Sequence, residues 1–190
     1  MKYLVLLVLL PLAVYGHGRM KPSCPPFWTG FGDFCWRYFP DPLSFADAEA
    51  TCAQFAPCDS FEIGTLPVLE DRRAESFMKS YLGNLVAQPP ASDVWIGLTD
   101  RLQENMFTWA NGDPLTFKNF VLGQPDNGQS SGVPSQNCVM FSPALNGWDD
   151  VQCELTLPFF CMMPYEVPEP QQPGMGPGMG PGMGPGGPRM

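Results

Sequence analysis

Seven cysteines constrain this chain more than any other feature: Cys24, Cys35, Cys52, Cys58, Cys138, Cys153 and Cys161. Their meaning depends on the compartment, and the first residues address that. Lys2 is followed by the apolar run Leu4 to Leu10. That run is too short for a bilayer span, which takes about 20 residues. It reads as a secretory signal over residues 1–16, with small residues near Gly16 and Gly18 for cleavage. In an oxidising compartment the cysteines form a disulfide framework. Six can pair, and the seventh stays free or joins another chain; many pairings remain open. The absence of a CxxC and the presence of one histidine, His17, argue against a zinc or redox centre.

Charge narrows the partners. From Cys24 to Met163 there are 17 acidic and 6 basic residues, and the formal charge of −9 becomes −10 once Lys2 leaves with the signal. Nucleic-acid binding needs the opposite sign. An acidic surface suits cations, cationic partners or a calcium-bearing mineral face.

Residues 17–23 form a short basic leader with Arg19 and Lys21. Cys24 to Trp28 and Phe34 to Phe39 read as two strands around the turn-prone Thr29 to Asp33. A Cys24–Cys35 bridge would close that hairpin. Ser44 to Phe55 reads as a helix capped by Ser44, with Phe45, Ala48, Cys52 and Phe55 on one face. Leu69 to Leu82 reads as a second helix. Glu70 and Asp71 suit its N-terminal end, and Ala74, Phe77, Met78 and Tyr81 form its core stripe. Val94 to Leu98, Phe107 to Trp109, Cys138 to Phe141 and Leu157 to Met162 read as strands. From Phe117 to Cys138 little is regular, and a loop that long in a compact domain is usually functional or disordered.

That loop begins a stretch rich in side-chain oxygen. Gly123-Gln124-Pro125-Asp126-Asn127 precedes Cys138, and Trp148-Asp149-Asp150 precedes Cys153. Hard cations, calcium above all, take several carboxylate, amide and carbonyl oxygens at about 2.3–2.6 Å. A cystine between Cys138 and Cys153 would hold such ligands still. Catalysis is not expected. Adjacent Asp149 and Asp150 cannot flank a scissile glycosidic bond at the roughly 5–9.5 Å that its cleavage requires, and no Ser/His/Asp set can be built around His17. There is no Asn-x-Ser/Thr acceptor for N-linked glycan.

After Pro164 the composition shifts. Pro173-Gly174-Met175-Gly176 recurs at Pro177 and Pro181 and, imperfectly, at Pro185. The period of four excludes collagen, which needs glycine at every third position. Residues 164–190 are expected to be a disordered Pro/Gly/Met-rich tail, with too little side chain to bury. Its exposed methionines make it an expected point of self-association.

Taken in order, Cys24-Pro25, Trp28, Cys35, the Phe45-x-x-Ala48-x-x-x-Cys52 helix, Trp95-Ile96-Gly97-Leu98, Gln124-Pro125-Asp126, Cys138, Trp148-Asp149-Asp150-x-x-Cys153 and Cys161 resemble the C-type lectin-like domain. The resemblance covers residues 24–163. It implies an α+β double-loop fold with two helices and two small antiparallel sheets, disulfide-braced through Cys24–Cys35, Cys52–Cys161 and Cys138–Cys153. Cys58 is then left unpaired or intermolecular, and the helical spacing from Phe45 and Ala48 favours Cys52 over Cys58 as the helix partner. The resemblance implies a principal calcium site of Gln124, Asp126, Gln136, Asp149 and Asp150. Gln136 stands where glutamate is usual, and Asp149 where asparagine is usual, so the carboxylates still number three: Asp126, Asp149 and Asp150. The exchange predicts a weakened or rearranged site suited to extracellular calcium. A doubtful accessory site would use Asp100, Glu104 and Asn127, with Gln136 and Asn137.

Gln-Pro-Asp in this family accompanies galactose-type sugars. The loop from Asn127 to Ser135 holds no aromatic residue to stack on a sugar, which predicts weak recognition. A signal peptide, one such domain and a Pro-Gly-Met tail together resemble the spicule matrix proteins of sea-urchin biomineral. The leading expectation is therefore a secreted structural protein occluded in calcium carbonate, with mineral and other matrix proteins as partners and neither nucleic acid nor membrane among them. The rival is a soluble, calcium-dependent galactose-type lectin of recognition or defence, with glycans as partners.

Overall fold

A computed structural model describes residues 24–56, 62–85, 92–129 and 135–165. The signal, the leader, Cys58 and the repeats of the tail lie outside them.

The strands are β1 (Thr29–Phe31), β2 (Phe34–Leu43), β3 (Val94–Thr99), β4 (Thr108–Trp109), β5 (Cys138–Ser142), β6 (Gly147–Val151) and β7 (Leu157–Pro164); the helices are α1 (Phe45–Cys52) and α2 (Arg72–Leu85). They form one sheet in the order β1-β2-β7-β3-β5-β6, with β4 beside β3. Every neighbouring pair is antiparallel except β3 and β7, which meet in parallel at Trp95 and Phe159. The two antiparallel sections expected from the sequence are thus joined by a single parallel pairing. The β2–β7 register sets Phe34 opposite Pro164, so the start of β2 and the end of β7 lie side by side.

Period-two alternation in β3 explains its central place. Val94, Ile96 and Leu98 face the α2 side with Met78 and Leu82, whereas Trp95 faces the α1 side with Phe45, Ala48 and Cys52. Gly97 has no room for a side chain: a Cβ there would lie 2.8 Å from the Leu66 carbonyl oxygen. The Gly97 amide donates to the Pro67 carbonyl at 2.8 Å, which ties the segment before α2 to the sheet. Three bridges brace the whole, Cys24–Cys35, Cys52–Cys161 and Cys138–Cys153, as the resemblance implied.

Three elements differ from the sequence reading. Cys24 to Trp28 is a turn rather than a strand, and β1 occupies the stretch read as the turn. Pro25 and Pro26 have no N–H for a ladder, and the Trp28 amide folds back onto the Pro25 carbonyl at 3.1 Å. Second, α2 starts and ends three residues later than expected. Asp71 Oδ1 accepts the Arg73 and Ala74 amides, both at 2.8 Å, and so caps the helix from outside. Those amides, Ala74's foremost, hold the Asp71 carboxyl below its usual range. Third, α1 ends at Cys52, with Phe55 in a following turn. Ser44 caps α1 as expected, its Oγ accepting the Asp47 amide at 3.2 Å.

Candidate metal centre

The oxygen-rich residues come from three segments that the sheet and one cystine bring together. Trp148, Asp149 and Asp150 lie on β6 rather than on the loop expected from the sequence. β6 pairs with β5 around the Asn146–Gly147 turn, with Val139 opposite Asp150 and Met140 opposite Asp149. Cys138–Cys153 closes the open end of that hairpin. The second segment, 123–128, contains a cis Gln124–Pro125 peptide. Two β6 contacts hold this segment. The Asp126 and Asn127 amides donate to Asp150 Oδ1 and Oδ2 at 3.0 and 2.7 Å. Asp126 Oδ1 in turn accepts the Gly128 amide at 2.9 Å. The third segment arrives through Asn127, whose Oδ1 accepts the Gln136 amide at 2.8 Å.

The residues of the expected accessory site also meet. Asn127 Nδ2 donates to Glu104 Oε1 at 2.8 Å. Asp100, only 3% exposed, receives the Asn105 amide on Oδ2 at 2.8 Å. The Asp100 amide donates to the Asn137 carbonyl at 3.2 Å, which brings the 135–137 segment to the end of β3.

Several buried acceptors in this region have no hydrogen-bond partner: Gln124 Oε1, Gln136 Oε1 and Asp149 Oδ1 in the expected principal set, and Asp100 Oδ1 and Asn137 Oδ1 beside them. An unpaired buried acceptor costs about 1–3 kcal/mol. Side-chain oxygens of this kind suit a hard cation; the Trp148 indole N–H on β6 and Glu75 Oε2 on α2 are likewise without a partner. Among the described residues no three His, Cys, Asp or Glu side chains form a metal-sized group. A cation site here would therefore need the amide oxygens of Gln124 and Gln136 beside the carboxylates.

Electrostatics favour the same reading. Burial, followed by repulsion from Asp150, Asp126 and Asp93, pushes the Asp149 carboxyl up to about 6. Burial also raises Asp150, against the lowering effect of the Asn127 and Asp126 amides. A positive charge between these groups would relieve both. Asn137, with its unpartnered Oδ1, was expected only in the accessory set, and the burial of Glu75 on α2 was not expected. Glu75 and Lys79 have the i,i+4 spacing of an ordinary surface pair, so nothing in the sequence marked Glu75 as buried.

Comparison with known proteins gives a family model described as Lectin C-type domain, which matches residues 41–163. Echinoidin from Heliocidaris crassispina is 33% identical over 145 residues, covering 74% of this chain and 97% of that protein. The alpha-N-acetylgalactosamine-specific lectin of Patiria pectinifera is 28% identical over 148 residues, covering 76% of this chain and 83% of that protein. The carbohydrate-recognition domain of mouse scavenger receptor C-type lectin superposes with a TM-score of 0.61 at 30% identity, covering 76% of this chain and all of that one.

Proposed function

The chain belongs to the C-type lectin domain family, and from that premise we propose that it is a calcium-dependent, galactose-type lectin acting outside the cell. One observation carries the proposal: Gln124, Gln136 and Asp149 have buried oxygens without partners, on segments that the Asp126 and Asn127 amides tie to Asp150 and the Gln136 amide ties to Asn127. In this reading those five residues hold calcium. The bound ion would supply a Lewis-acidic contact for neighbouring sugar hydroxyls. Asp126 and Gln124 would orient those hydroxyls by accepting hydrogen bonds, and Asp150 would fix the spacing of the 124–127 segment. Gln-Pro-Asp and the relative named for N-acetylgalactosamine support the galactose type. Without a stacking aromatic between Asn127 and Ser135, affinity for a single sugar is weak.

The lectin reading now leads, and the mineral-matrix reading is second. The order expected from the sequence is reversed, because that order relied on the tail, outside the described residues, whereas the matched family and the Patiria pectinifera relative bear lectin names. The acidic balance of residues 24–163 still supports mineral contact. In both readings the protein binds and does not catalyse. Among the described residues no helix is long and apolar enough to cross a membrane.

A glycan array run with calcium and with chelator tests the order. Retention on galactose- or N-acetylgalactosamine-terminated glycans, lost with chelator, is the expected result. No retention on any glycan, together with adsorption to calcium carbonate crystals, would return the matrix reading to first place.

A further inference from the structure

We infer that Glu75 is a positioning residue for the oxygen loops and acts on them through Asn119, an inference that rests on the calcium-site reading. Glu75 lies on α2, in the scaffold, and is 3% exposed. A buried carboxylate needs partners. Lys79 Nζ lies 2.5 Å from Oε1, and Asn119 Nδ2 donates to the same oxygen at 2.9 Å.

Asn119 links Glu75 to two of the three ligand-bearing segments. Its Nδ2 also reaches the Asn146 carbonyl at 3.3 Å, in the turn that leads into β6. Its own carbonyl accepts the Trp148 amide at 2.8 Å, and the Trp148 carbonyl accepts the Val121 amide at 2.9 Å. The Val121 carbonyl then accepts the Gln124 amide at 3.0 Å. This short ladder joins the residue before Asp149 to the segment that carries Gln124 and Asp126. The contact is tight enough to require glycine at 147, where a Cβ would lie 2.7 Å from Val121 Cγ1 and 2.9 Å from the Asn119 carbonyl oxygen. Those two segments are thus set relative to each other at Asn119, and Glu75 sets Asn119 relative to the core. Groups behind metal ligands change affinity by about 10–100-fold when removed.

The test compares three full-length variants with the intact chain. Glu75→Ala removes the acceptor, Glu75→Gln retains an oxygen for Asn119, and Met78→Ala weakens the same helix without touching Asn119. Calcium affinity is read by calorimetry. Amide exchange at Val121, Gln124 and Trp148 is read without calcium. Glu75→Ala should weaken calcium binding about tenfold and speed exchange at those three amides selectively. Glu75→Gln should restore most of both. Met78→Ala should lower the melting temperature at least as much, yet keep calcium affinity within about twofold and spread faster exchange evenly over the core. Equal effects of Glu75→Ala and Met78→Ala would overturn the inference. If the intact chain takes up no calcium, the metal-site reading falls. The exchange measurement still decides the coupling: selective acceleration in Glu75→Ala supports it, and its absence overturns it.

Discussion

Around Trp95, on the α1 side of the sheet, polar groups find partners and apolar ones are sealed. The Trp95 indole donates to the Leu43 carbonyl at 2.8 Å, the Phe45 amide to the Cys153 carbonyl at 3.0 Å, and Phe45, Ala48 and Cys52 are fully buried. At the β6 margin of the sheet, where 123–128 meets β6 and 135–137 lies beside it, backbone amides of Asp126, Asn127 and Gln136 are satisfied while side-chain oxygens are left without donors. The contrast separates two uses of burial. On the α1 side it removes apolar surface from water. At the loops it keeps acceptors dry and unpaired, a costly state that the braced scaffold holds in place.

If that contrast is right, damage to the two regions should be read by different instruments. The largest effect belongs to Trp95→Ala, which empties the centre of the α1 side and should cost about 3–5 kcal/mol. Urea denaturation would measure it, and a loss below about 1 kcal/mol would contradict the role given to Trp95. Removing the Cys52–Cys161 bridge with paired alanines should cost about 2–5 kcal/mol by the same measurement.

Asp150→Ala comes next and should act on both regions. It deprives two amides of their acceptor and removes a carboxylate from the expected ion site. Calcium uptake should drop below calorimetric detection, with a stability loss of about 1–3 kcal/mol. Unchanged uptake would remove Asp150 from the ligand set.

Asp149→Asn sharpens the comparison because its two effects have opposite signs. The calcium-free fold should melt slightly higher at neutral pH, since a repelled, half-buried charge is gone, while calcium affinity falls. The intact chain should show the matching pH dependence. The folded Asp149 value of about 6 lies above its ordinary 3.8, so the fold holds the extra proton within that window. That contribution to calcium-free stability is complete below the ordinary value and is lost as pH rises through about 6. Melting curves in chelator across that range should show the decline, and Asp149→Asn should flatten it. The smallest effect is Glu104→Ala, which removes one exposed contact with Asn127. Stability should move by less than about 0.5 kcal/mol, and a large change in calcium binding would make the accessory residues true ligands.

Much of the scaffold was legible because local rules and global packing agree there. Ser44 caps, Phe45, Ala48 and Cys52 share a helical face, and Val94 to Leu98 alternate as a buried strand. Other features depended on competition that sequence does not show. Asp71 could have entered α2 but caps it instead, shifting the helix by three residues. Asp149 and Asp150 looked like loop residues because acids are uncommon in strands, yet pairing with Val139 and Met140 draws them into β6. The ligand set was readable only as a family pattern. That Gln124, Gln136 and Asp149 lack partners is a property of distances between segments, and Glu75 could be seen as buried only once α2 was packed.

Strand order has a practical corollary. The described chain enters and leaves through β1, β2 and β7, whereas the oxygen-bearing hairpin is β5 and β6, at the other margin of the sheet. A molecule held through the β1–β2 margin of the described sheet would present the β5–β6 hairpin at the opposite margin. Several such anchored copies could grip a repetitive target together, and weak single contacts would then suffice for lasting attachment.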